Sequence, residues 1–251
     1  ILSFYYQPDL CAGSFRCTAL IEQLSRHNVE IEVITTAPNR YASFDSRAPE
    51  FEQQGNVTVH RIALPSHNSG MVDQIRAFST YYREAQALVK KHDYDLVYAT
   101  SSRLFTAFLG ARIAKKKKLP LYLDVRDIFV DTMENILPTI ISRLAKPILS
   151  YVERYTFNGA NRINLVSKGF LKYFECRYSS TPFRFFTNGI DEEFMNAAPA
   201  HHMEHEPGSV INVLYVGNIG EGQGLHKVVP ELAKRLNAKV HFRIIGDGGQ
   251  R

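Results

Sequence analysis

The feature that most constrains this chain is a regular alternation of short β-rich runs with longer helical patterns. Runs with strand character lie near 1–6, 30–36, 56–64, 95–100, 119–124, 161–167 and 182–187, and helical spacing occurs near 14–27, 72–91, 103–117 and 138–157. Strands that alternate with helices form parallel sheets with helices on both faces. Several runs, such as 119–125, are almost continuously apolar, which is typical of strands buried on both faces. The sequence therefore predicts an α/β fold with a parallel sheet.

The alternation stops at residues 197–209, which are rich in Pro, His and Glu and are typical of a linker or long loop. A strand, a Gly-rich turn, a helix and another strand follow, over 211–216, 217–223, 224–237 and 239–245. We therefore predict a first domain over 1–190, an interdomain linker over 191–209 and the start of a second domain over 210–251. One βαβ unit cannot bury its own faces, and Ile1 already has strand character, so we expect a fragment trimmed at both ends.

Composition and charge narrow the class of protein. A hydrophobic fraction of 45% with 22% charged residues supports a real core and excludes wholesale disorder. The sequence holds no run of 18 apolar residues, and its three cysteines form no CxxC pair, as expected of reduced thiols in a cytoplasmic protein. Residues 1–187 carry a net charge of +7 and residues 188–251 carry −2. The basic first region suits anionic partners, and an ordinary solvated surface is the alternative.

The turn after the first strand, residues 7–14, is the first candidate binding site. It contains one glycine, Gly13, and leads into a helix that Ser14 could cap. In a parallel sheet this turn lies at the carboxyl edge, where ligands bind and where the N–H groups of a helix N-terminus attract anions. The turn is not a GxGxxG sequence, which argues against NAD or FAD in this domain. A simple capping turn is the alternative interpretation.

Charged residues at the end of the fifth strand form the second candidate site. Period-two alternation sends Asp124 and Arg126 to the same side of the sheet, while Asp127 begins the loop. Carboxylates beside a guanidinium at this edge suit acid–base chemistry or the recognition of hydroxyl and phosphate groups. A structural ion pair that closes the strand is the alternative.

Two other patterns have the residue types of metal sites. The Asp-Tyr-Asp triplet at 93–95 precedes the fourth strand and therefore lies at the amino edge of the sheet, opposite the expected site. Three histidines and a glutamate over 201–205 lie in the proline-bounded linker without a second cluster to complete a site. We therefore predict a solvated hinge at 201–205 and expect no metal site.

Two segments could contact a membrane. Lys115–Lys118 ends the helix predicted over 103–117, where a solvated cap that favours the helix dipole explains the lysines as well as attraction to anionic lipid does. The apolar run Ile136–Ile141 begins the next predicted helix. A core stripe is the default interpretation of this run, and a membrane-dipping lip is the alternative. Pro147 should kink that helix or start a second one.

Four stretches of the sequence resemble glycosyltransferases of the GT-B fold. They are Phe4–Pro8 with Ala12–Ser14, Leu123–Asp127, Asn161–Ser167 with Thr187–Asp191, and Leu214–Gly220 with Gln223–Leu225 and Ile244–Gly248. Their order and spacing resemble, more narrowly, the family 4 retaining enzymes that build bacterial surface polysaccharides. Leu123–Asp127 is similar to the strand-end motif of the subgroup related to O-antigen and capsule N-acetylfucosamine transferases. Thr187–Asp191 resembles the interdomain NG(I/V)D signature of family 4.

This resemblance implies two facing Rossmann-like domains. The first domain would hold a lipid-linked or saccharide acceptor, and the second would hold a nucleotide-sugar donor. Asp124, Arg126 and Asp127 would face the transferred sugar or the acceptor hydroxyl as catalytic residues. The residues implied to bind the donor are Gly13, Ser14, Asn188, Gly217, Asn218, Gln223, Gly224, Gly246 and Gly248.

The resemblance also implies the chemistry and the partners. Retaining enzymes of this type are thought to let the leaving diphosphate accept the acceptor proton, so the protein supplies positioning and charge stabilisation. We expect no cofactor, no obligate metal and no nucleic-acid partner. We expect a cytoplasmic protein, with peripheral attachment to the anionic inner membrane face as an open alternative.

Two departures from the family pattern bear on activity. Many members place an Arg and a Lys on the first donor-domain loop, where this chain has Asn218 and Gln223. We interpret this loop as a variant in which N–H groups near Gly222–Gly224 act on the phosphate. The two-glutamate motif of the family is absent from the chain, so we expect the chain alone to be inactive. A nucleotide-sugar 2-epimerase of the same fold and a non-catalytic binding module stay open as alternatives.

Overall fold

The chain divides into two compact units, Ile1–Ile190 (unit 1) and Asp191–Arg251 (unit 2). The computed structural model describes residues 1–39, 47–65, 71–101, 104–128, 139–190, 192–196, 209–236 and 239–250. The linker predicted over 191–209 lies mostly outside the described residues.

The described helices are α1 (Ala12–Ser25), α2 (Met71–Val89), α3 (Leu104–Lys117), α4 (Thr139–Asn158), α5 (Leu171–Glu175), α6 (Glu192–Met195) and α7 (Leu225–Leu236). The strands are β1 (Ile31–Thr36), β2 (Phe51–Gln54), β3 (Val57–Ile62), β4 (Val97–Thr100), β5 (Leu121–Val125), β6 (Arg162–Leu165), β7 (Phe183–Phe185), β8 (Ile211–Val216) and β9 (Val240–Ile245). Short 3-10 helices cover Lys168–Phe170 and Glu221–Gln223. None of the helices in the described part of the chain is both long enough and apolar enough to cross a bilayer.

Unit 1 is built on parallel strands, as predicted. Its strands run in the orders β1-β3-β2 and β4-β5-β6-β7, and Leu2 forms parallel bridges to both groups, at Ile34 and Ala99. The expectation of a continuous strand over 1–6 is wrong, because the bridges stop at Leu2. The Thr36 hydroxyl donates to the Phe4 carbonyl at 2.6 Å, so a side chain satisfies this carbonyl instead of a strand partner.

The sequence pattern missed β2, which pairs antiparallel with β3. Its residues are Phe-Glu-Gln-Gln and lie mostly exposed, so no apolar alternation marks it. The turn between the two strands contains Gly55 at φ +58°, a conformation that favours glycine. An edge hairpin of this kind is specified by its turn and its hydrogen bonds rather than by a buried face.

Helices cover the two faces of the sheet unequally. Ile34 belongs to the larger hydrophobic cluster, which includes Tyr81 of α2, Leu109 of α3 and Phe157 of α4. The neighbouring Val33 points to the opposite face and belongs to a smaller cluster under α1. A Cβ atom at Gly110 would lie 2.5 Å from the Ala99 Cβ, which shows how closely α3 approaches β4. The helix α4 continues through Pro147 without interruption, so the expectation that a second helix could start there is wrong.

Unit 2 contains a parallel strand pair. The strands β8 and β9 align from Ile211 with Val240 to Val216 with Ile245, and α7 connects them. The predicted strand–turn–helix–strand order is therefore confirmed. Each unit by itself therefore has the predicted α/β architecture with Rossmann-like parallel strands.

Candidate functional site at the carboxyl edge

A buried carboxylate lies at the end of β5. Asp124 is 3% exposed and aligns with Asn164 on the neighbouring strand β6. The Asn164 amide donates to one carboxylate oxygen at 2.6 Å, and the Arg126 Nε donates to the other at 2.7 Å. Burial and then the charge of Asp124 raise the pKa of Tyr98, which keeps this hydroxyl protonated. Because both of its oxygens accept hydrogen bonds, the Asp124 carboxylate can hold the neighbouring side chains in position. This arrangement corresponds to the structural ion pair that was the alternative interpretation of the strand end.

Hydrogen bonds connect this strand end to the segment that leaves β7. Asn164 accepts a hydrogen bond from the Phe186 N–H at 2.7 Å and donates to the Phe186 carbonyl at 3.2 Å. Two residues later, Asn188 accepts a hydrogen bond from Arg126 Nη1 at 3.1 Å. Asp124, Arg126, Asn188 and Asn164 therefore form one network, which we call the strand-end network. It fixes the Arg126 side chain from two sides.

Asp127 follows this network and begins the loop after β5. Partial desolvation raises the pKa of Asp127 above its ordinary value, and the Arg16 guanidinium opposes that rise. Arg16 is half-buried on α1, where desolvation and then the nearby charge of Arg126 lower its pKa. Because the charge of Arg126 is partly matched by Asp124, Arg16 is the cation of the site that interacts with Asp127.

The structure corrects the prediction that Ser14 caps α1. The helix begins at Ala12, the N-cap residue is Cys11, and the Cys11 side chain forms no capping hydrogen bond. Ser14 lies within the first turn and is 1% exposed, and its hydroxyl has no hydrogen-bond partner among the described residues. A residue inside the helix cannot adopt the extended conformation that an N-cap requires. The first turn of α1 therefore has a buried hydroxyl instead of a capping side chain.

A cleft of about 990 Å³ in unit 1 is lined by several of these groups, while Ser14, Asp127 and Asn188 are not among its lining residues. Its lining includes Gly13 and Arg16 of α1, Asp124 and Arg126 of the strand-end network, and Phe186. The cleft continues along the sheet to the amino edge, where Asp93 lies before β4 with the Lys117 ammonium 3.8 Å away. Two of the predicted catalytic residues, Asp124 and Arg126, therefore share a cleft with Gly13.

The predicted donor-binding residues of unit 2 lie on the loops after β8 and β9. Gly217 donates to the Ile245 carbonyl at 3.0 Å, and a Cβ atom at Gly246 would lie 1.7 Å from the Gly217 carbonyl oxygen. At Gly248 a Cβ atom would lie 2.4 Å from the Ile219 carbonyl oxygen. Only glycine permits this approach of two loops.

The side chains of Asn218 and Gln223 bind each other. Asn218 Nδ2 donates to Gln223 Oε1 at 2.8 Å, and the same oxygen accepts the Gly220 N–H at 3.1 Å. Gly224 then adopts a left-handed conformation with φ +62°, directly before α7 begins. The two polar side chains therefore shape the loop and leave its backbone as the surface that a ligand would meet.

Several predictions fall on residues that the structure does not describe. The linker histidines at 201–205, residues 136–138 and the side chains of Ile140 and Ile141 belong to this group. Among the described residues, no group of three or more His, Cys, Asp or Glu side chains could hold a metal ion.

Sequence reasoning missed three residues of the cleft, and each carries a signal in the sequence. Asn164 is a polar residue between two apolar ones in a short strand, Ile-Asn-Leu. Tyr98 alternates with the apolar Val97 and Ala99, and Arg16 lies one helical turn after Gly13. A polar residue in an otherwise apolar strand, close to its carboxyl end, was the clearest of these signals.

The comparisons with known proteins define the class and then the family. The chain is similar to two crystal structures of Anabaena Alr3699/HepE, one in complex with UDP and glucose and one with UDP-glucose. Identity is 16% in both, with TM-scores of 0.53; the alignments cover 92% and 91% of this chain and 57% and 56% of the other. This likeness shows the GT-B fold, and the chain spans little more than half of the HepE length.

The family model described as "Glycosyl transferase 4-like domain" matches residues 13–189. The chain therefore belongs to the glycosyl transferase 4-like family. A comparison with curated protein sequences gave no match.

Proposed function

We propose that this chain supplies the acceptor-side domain and the start of the donor domain of a retaining glycosyltransferase. The enzyme moves a sugar from a nucleotide-sugar to a lipid-linked or saccharide acceptor. The family match supports glycosyl transfer, and the strand-end network beside Asp127 is the observation that carries the proposal. Charged groups fixed at the carboxyl edge of a parallel sheet lie where ligands of α/β folds bind.

The geometry supports a division of labour among the charged residues. Asp124 holds Arg126, and Arg126 presents the rest of its guanidinium to the cleft and to Asn188. Asp127 is the carboxyl group that can contact an acceptor hydroxyl or the transferred sugar, while Arg16 stabilises its ionised form. The leaving diphosphate accepts the acceptor proton, so these side chains orient the reactants and stabilise charge. No step of this scheme requires a metal or another cofactor.

The donor diphosphate would bind the glycine-rich loops of unit 2. The close approach of Gly217 and Gly246 leaves backbone at the surface, and α7 begins directly after Gly224. Peptide N–H groups at such a helix start favour phosphate. The solved HepE complexes hold UDP, glucose or UDP-glucose, which supports a nucleotide-sugar donor here.

The biological setting is part of the proposal. We place the enzyme in bacterial surface-polysaccharide synthesis, of the O-antigen and capsule type, in the cytoplasm or at the inner membrane face. The basic balance of residues 1–187 supports the approach to an anionic surface. We expect the 251-residue chain alone to show no turnover, because the two-glutamate motif that the family resemblance associates with the donor is absent from its sequence.

A panel of UDP-, GDP- and dTDP-sugars tests the proposal on the whole enzyme. Incubation with a bacterial lipid extract should release a nucleoside diphosphate and label the lipid or saccharide fraction with sugar. An epimerised nucleotide-sugar formed without acceptor would identify an epimerase instead. Binding of a nucleotide-sugar without any product would indicate a binding module, and either result would overturn the proposal.

A further inference from the structure

A second concave surface lies far from the carboxyl edge, between the last turns of α3 and α4. It is a groove of about 520 Å³. Each helix contributes a stripe with the spacing of one helix face, Ala111, Ala114, Lys115 and Lys118 from α3 and its end, and Tyr151, Arg154, Tyr155 and Asn158 from α4. Small side chains on α3, together with Gly159, leave the space, and the longer side chains form its walls.

The charge of this groove has one sign. Helices α3 and α4 together contain one acidic residue, Glu153. Glu153 is 5% exposed and accepts hydrogen bonds from the Tyr173 and Tyr178 hydroxyls, so it faces away from the groove. Ion pairs among the described residues involve neither Lys118 nor Arg154. Among the described residues, no carboxylate therefore pairs with the three cationic side chains of the groove, Lys115, Lys118 and Arg154.

The four consecutive lysines at 115–118 do not share one environment. The Lys117 ammonium donates to the His92 carbonyl at 2.5 Å and lies over the Tyr94 ring, on the other side of the helix. The Lys115 ammonium lies 5.3 Å from the centre of the Tyr155 ring, at the wall of the groove. A cation over an aromatic face is held in place without losing its charge.

Lys118 occupies an unusual position for a lysine. Its φ is +57°, and the Lys118 and Leu119 N–H groups donate to the Lys115 and Ala114 carbonyls. These two bonds are those of a Schellman cap, in which the left-handed residue is usually glycine. The cap satisfies two carbonyls at the end of α3, which would otherwise repel an anion in the groove. A lysine at this position accepts backbone strain that glycine would avoid and adds a cation to the groove.

We propose that the groove between α3 and α4 binds the phosphate group of an anionic ligand. Lys115, Lys118 and Arg154 supply the charge, and Asn158 supplies a polar side chain at the groove end. The same chemistry could come from a free phosphorylated molecule or from the headgroup of an anionic lipid. Tyr151, which is 66% exposed, and Ile148, which is 65% exposed, lie beside the groove and suit the lipid source. The proposal is independent of the glycosyl-transfer site.

Binding to two probes tests the proposal and separates the sources. The 251-residue chain is titrated with inorganic pyrophosphate by calorimetry, and it is sedimented with phosphatidylcholine vesicles with and without phosphatidic acid. We expect binding to pyrophosphate, to the phosphatidic acid vesicles, or to both. The double variant Lys115→Glu/Lys118→Glu should weaken that binding by about tenfold or more.

A matched control distinguishes binding in the groove from binding to a diffuse basic surface. Lys90→Glu/Lys116→Glu makes the same change in charge at exposed lysines outside the groove lining and should weaken binding less than about threefold, because separated surface charges are screened. Asn158→Trp fills the groove without a charge change and should also reduce binding. Circular dichroism confirms that each variant is folded.

Three results would overturn the proposal. They are no binding to either probe, equal losses in the two double variants, and unchanged binding in folded Asn158→Trp. Binding to pyrophosphate alone would assign a soluble ligand, and binding to vesicles alone would assign a lipid headgroup.

Discussion

Asn164 and Asp124 are register partners on adjacent parallel strands, and the amide of Asn164 donates to the carboxylate of Asp124 at 2.6 Å. The same amide group also pairs with both backbone groups of Phe186. One buried side chain therefore connects the charged end of β5 to the segment that carries Asn188. This connection keeps Arg126 between Asp124 and Asn188, so the geometry of the candidate site depends on the buried side chain of Asn164.

Replacing Asn164 tests this dependence. Asn164→Ala leaves the Asp124 carboxylate and the Phe186 N–H without their partner, and a buried group left unsatisfied costs about 1–3 kcal/mol. We expect the free energy of unfolding in urea to fall by about 2–4 kcal/mol, and the exposed Arg162→Ala on the same strand to change it by less than about 0.5 kcal/mol. A loss below about 1 kcal/mol for Asn164→Ala would show that the network contributes little to the fold.

The raised pKa of Asp127 predicts a dependence of stability on pH. The folded state holds this proton more tightly than the unfolded state does, because desolvation disfavours the carboxylate. The carboxylate therefore reduces stability at pH values above the raised pKa, and this cost disappears as the pH falls through the folded pKa towards the unfolded value.

Asp127→Asn has no charge to desolvate. We expect the variant to exceed the parent chain in free energy of unfolding near neutral pH, with a difference that shrinks in acid. Urea denaturation across this pH range measures the difference. A variant less stable than the parent near neutral pH, with a deficit that disappears in acid, would mean that Arg16, and not desolvation, dominates the pKa of Asp127.

Two glycines after β9 should respond very differently to substitution by alanine. Gly246→Ala would place a Cβ atom 1.7 Å from the Gly217 carbonyl oxygen, whereas a Cβ atom at Gly249 meets no atom within 4 Å. We expect Gly246→Ala to separate the two loops and accelerate hydrogen exchange of the Gly217 N–H, which donates to Ile245. Gly249→Ala should leave that exchange rate unchanged. Equal exchange rates in both variants would contradict the close packing of the loops.

Hydrophobic patterns predicted the elements of unit 1 well, because helices and strands with buried faces have a period that the sequence shows. The four long helices begin and end within two residues of the predicted bounds. The start of α1 was misplaced because Ser14 resembles a cap, while the helix begins at Ala12 behind Cys11. The strand β2 escaped prediction because it has no buried face.

The candidate site was predictable in outline and not in detail. The parallel topology predicted from the sequence was enough to expect Gly13 and Asp124 at one edge of the sheet. The bond between Asn164 and Asp124 joins residues 40 positions apart, so only the register of β5 and β6 reveals it. The bond between Arg126 and Asn188 also joins residues far apart in the sequence, 62 positions, so it too becomes visible only in the folded chain. The pairing of Asn218 with Gln223 also depends on the path of a loop, which apolar periodicity does not encode.

The proposed site predicts that the chemistry of sugar transfer lies at the carboxyl edge of unit 1 and not at the Asp93–Asp95 triplet. The most direct test is kcat of the whole enzyme carrying Asp127→Asn, compared with the enzyme carrying Asp93→Asn. Both changes replace an aspartate with its isosteric amide and remove one negative charge, so they form a matched pair. We predict that Asp127→Asn lowers kcat by about 100-fold with the fold intact, while Asp93→Asn changes it by less than about twofold. Equal losses in both variants, or a loss confined to Asp93→Asn, would contradict a site at the carboxyl edge.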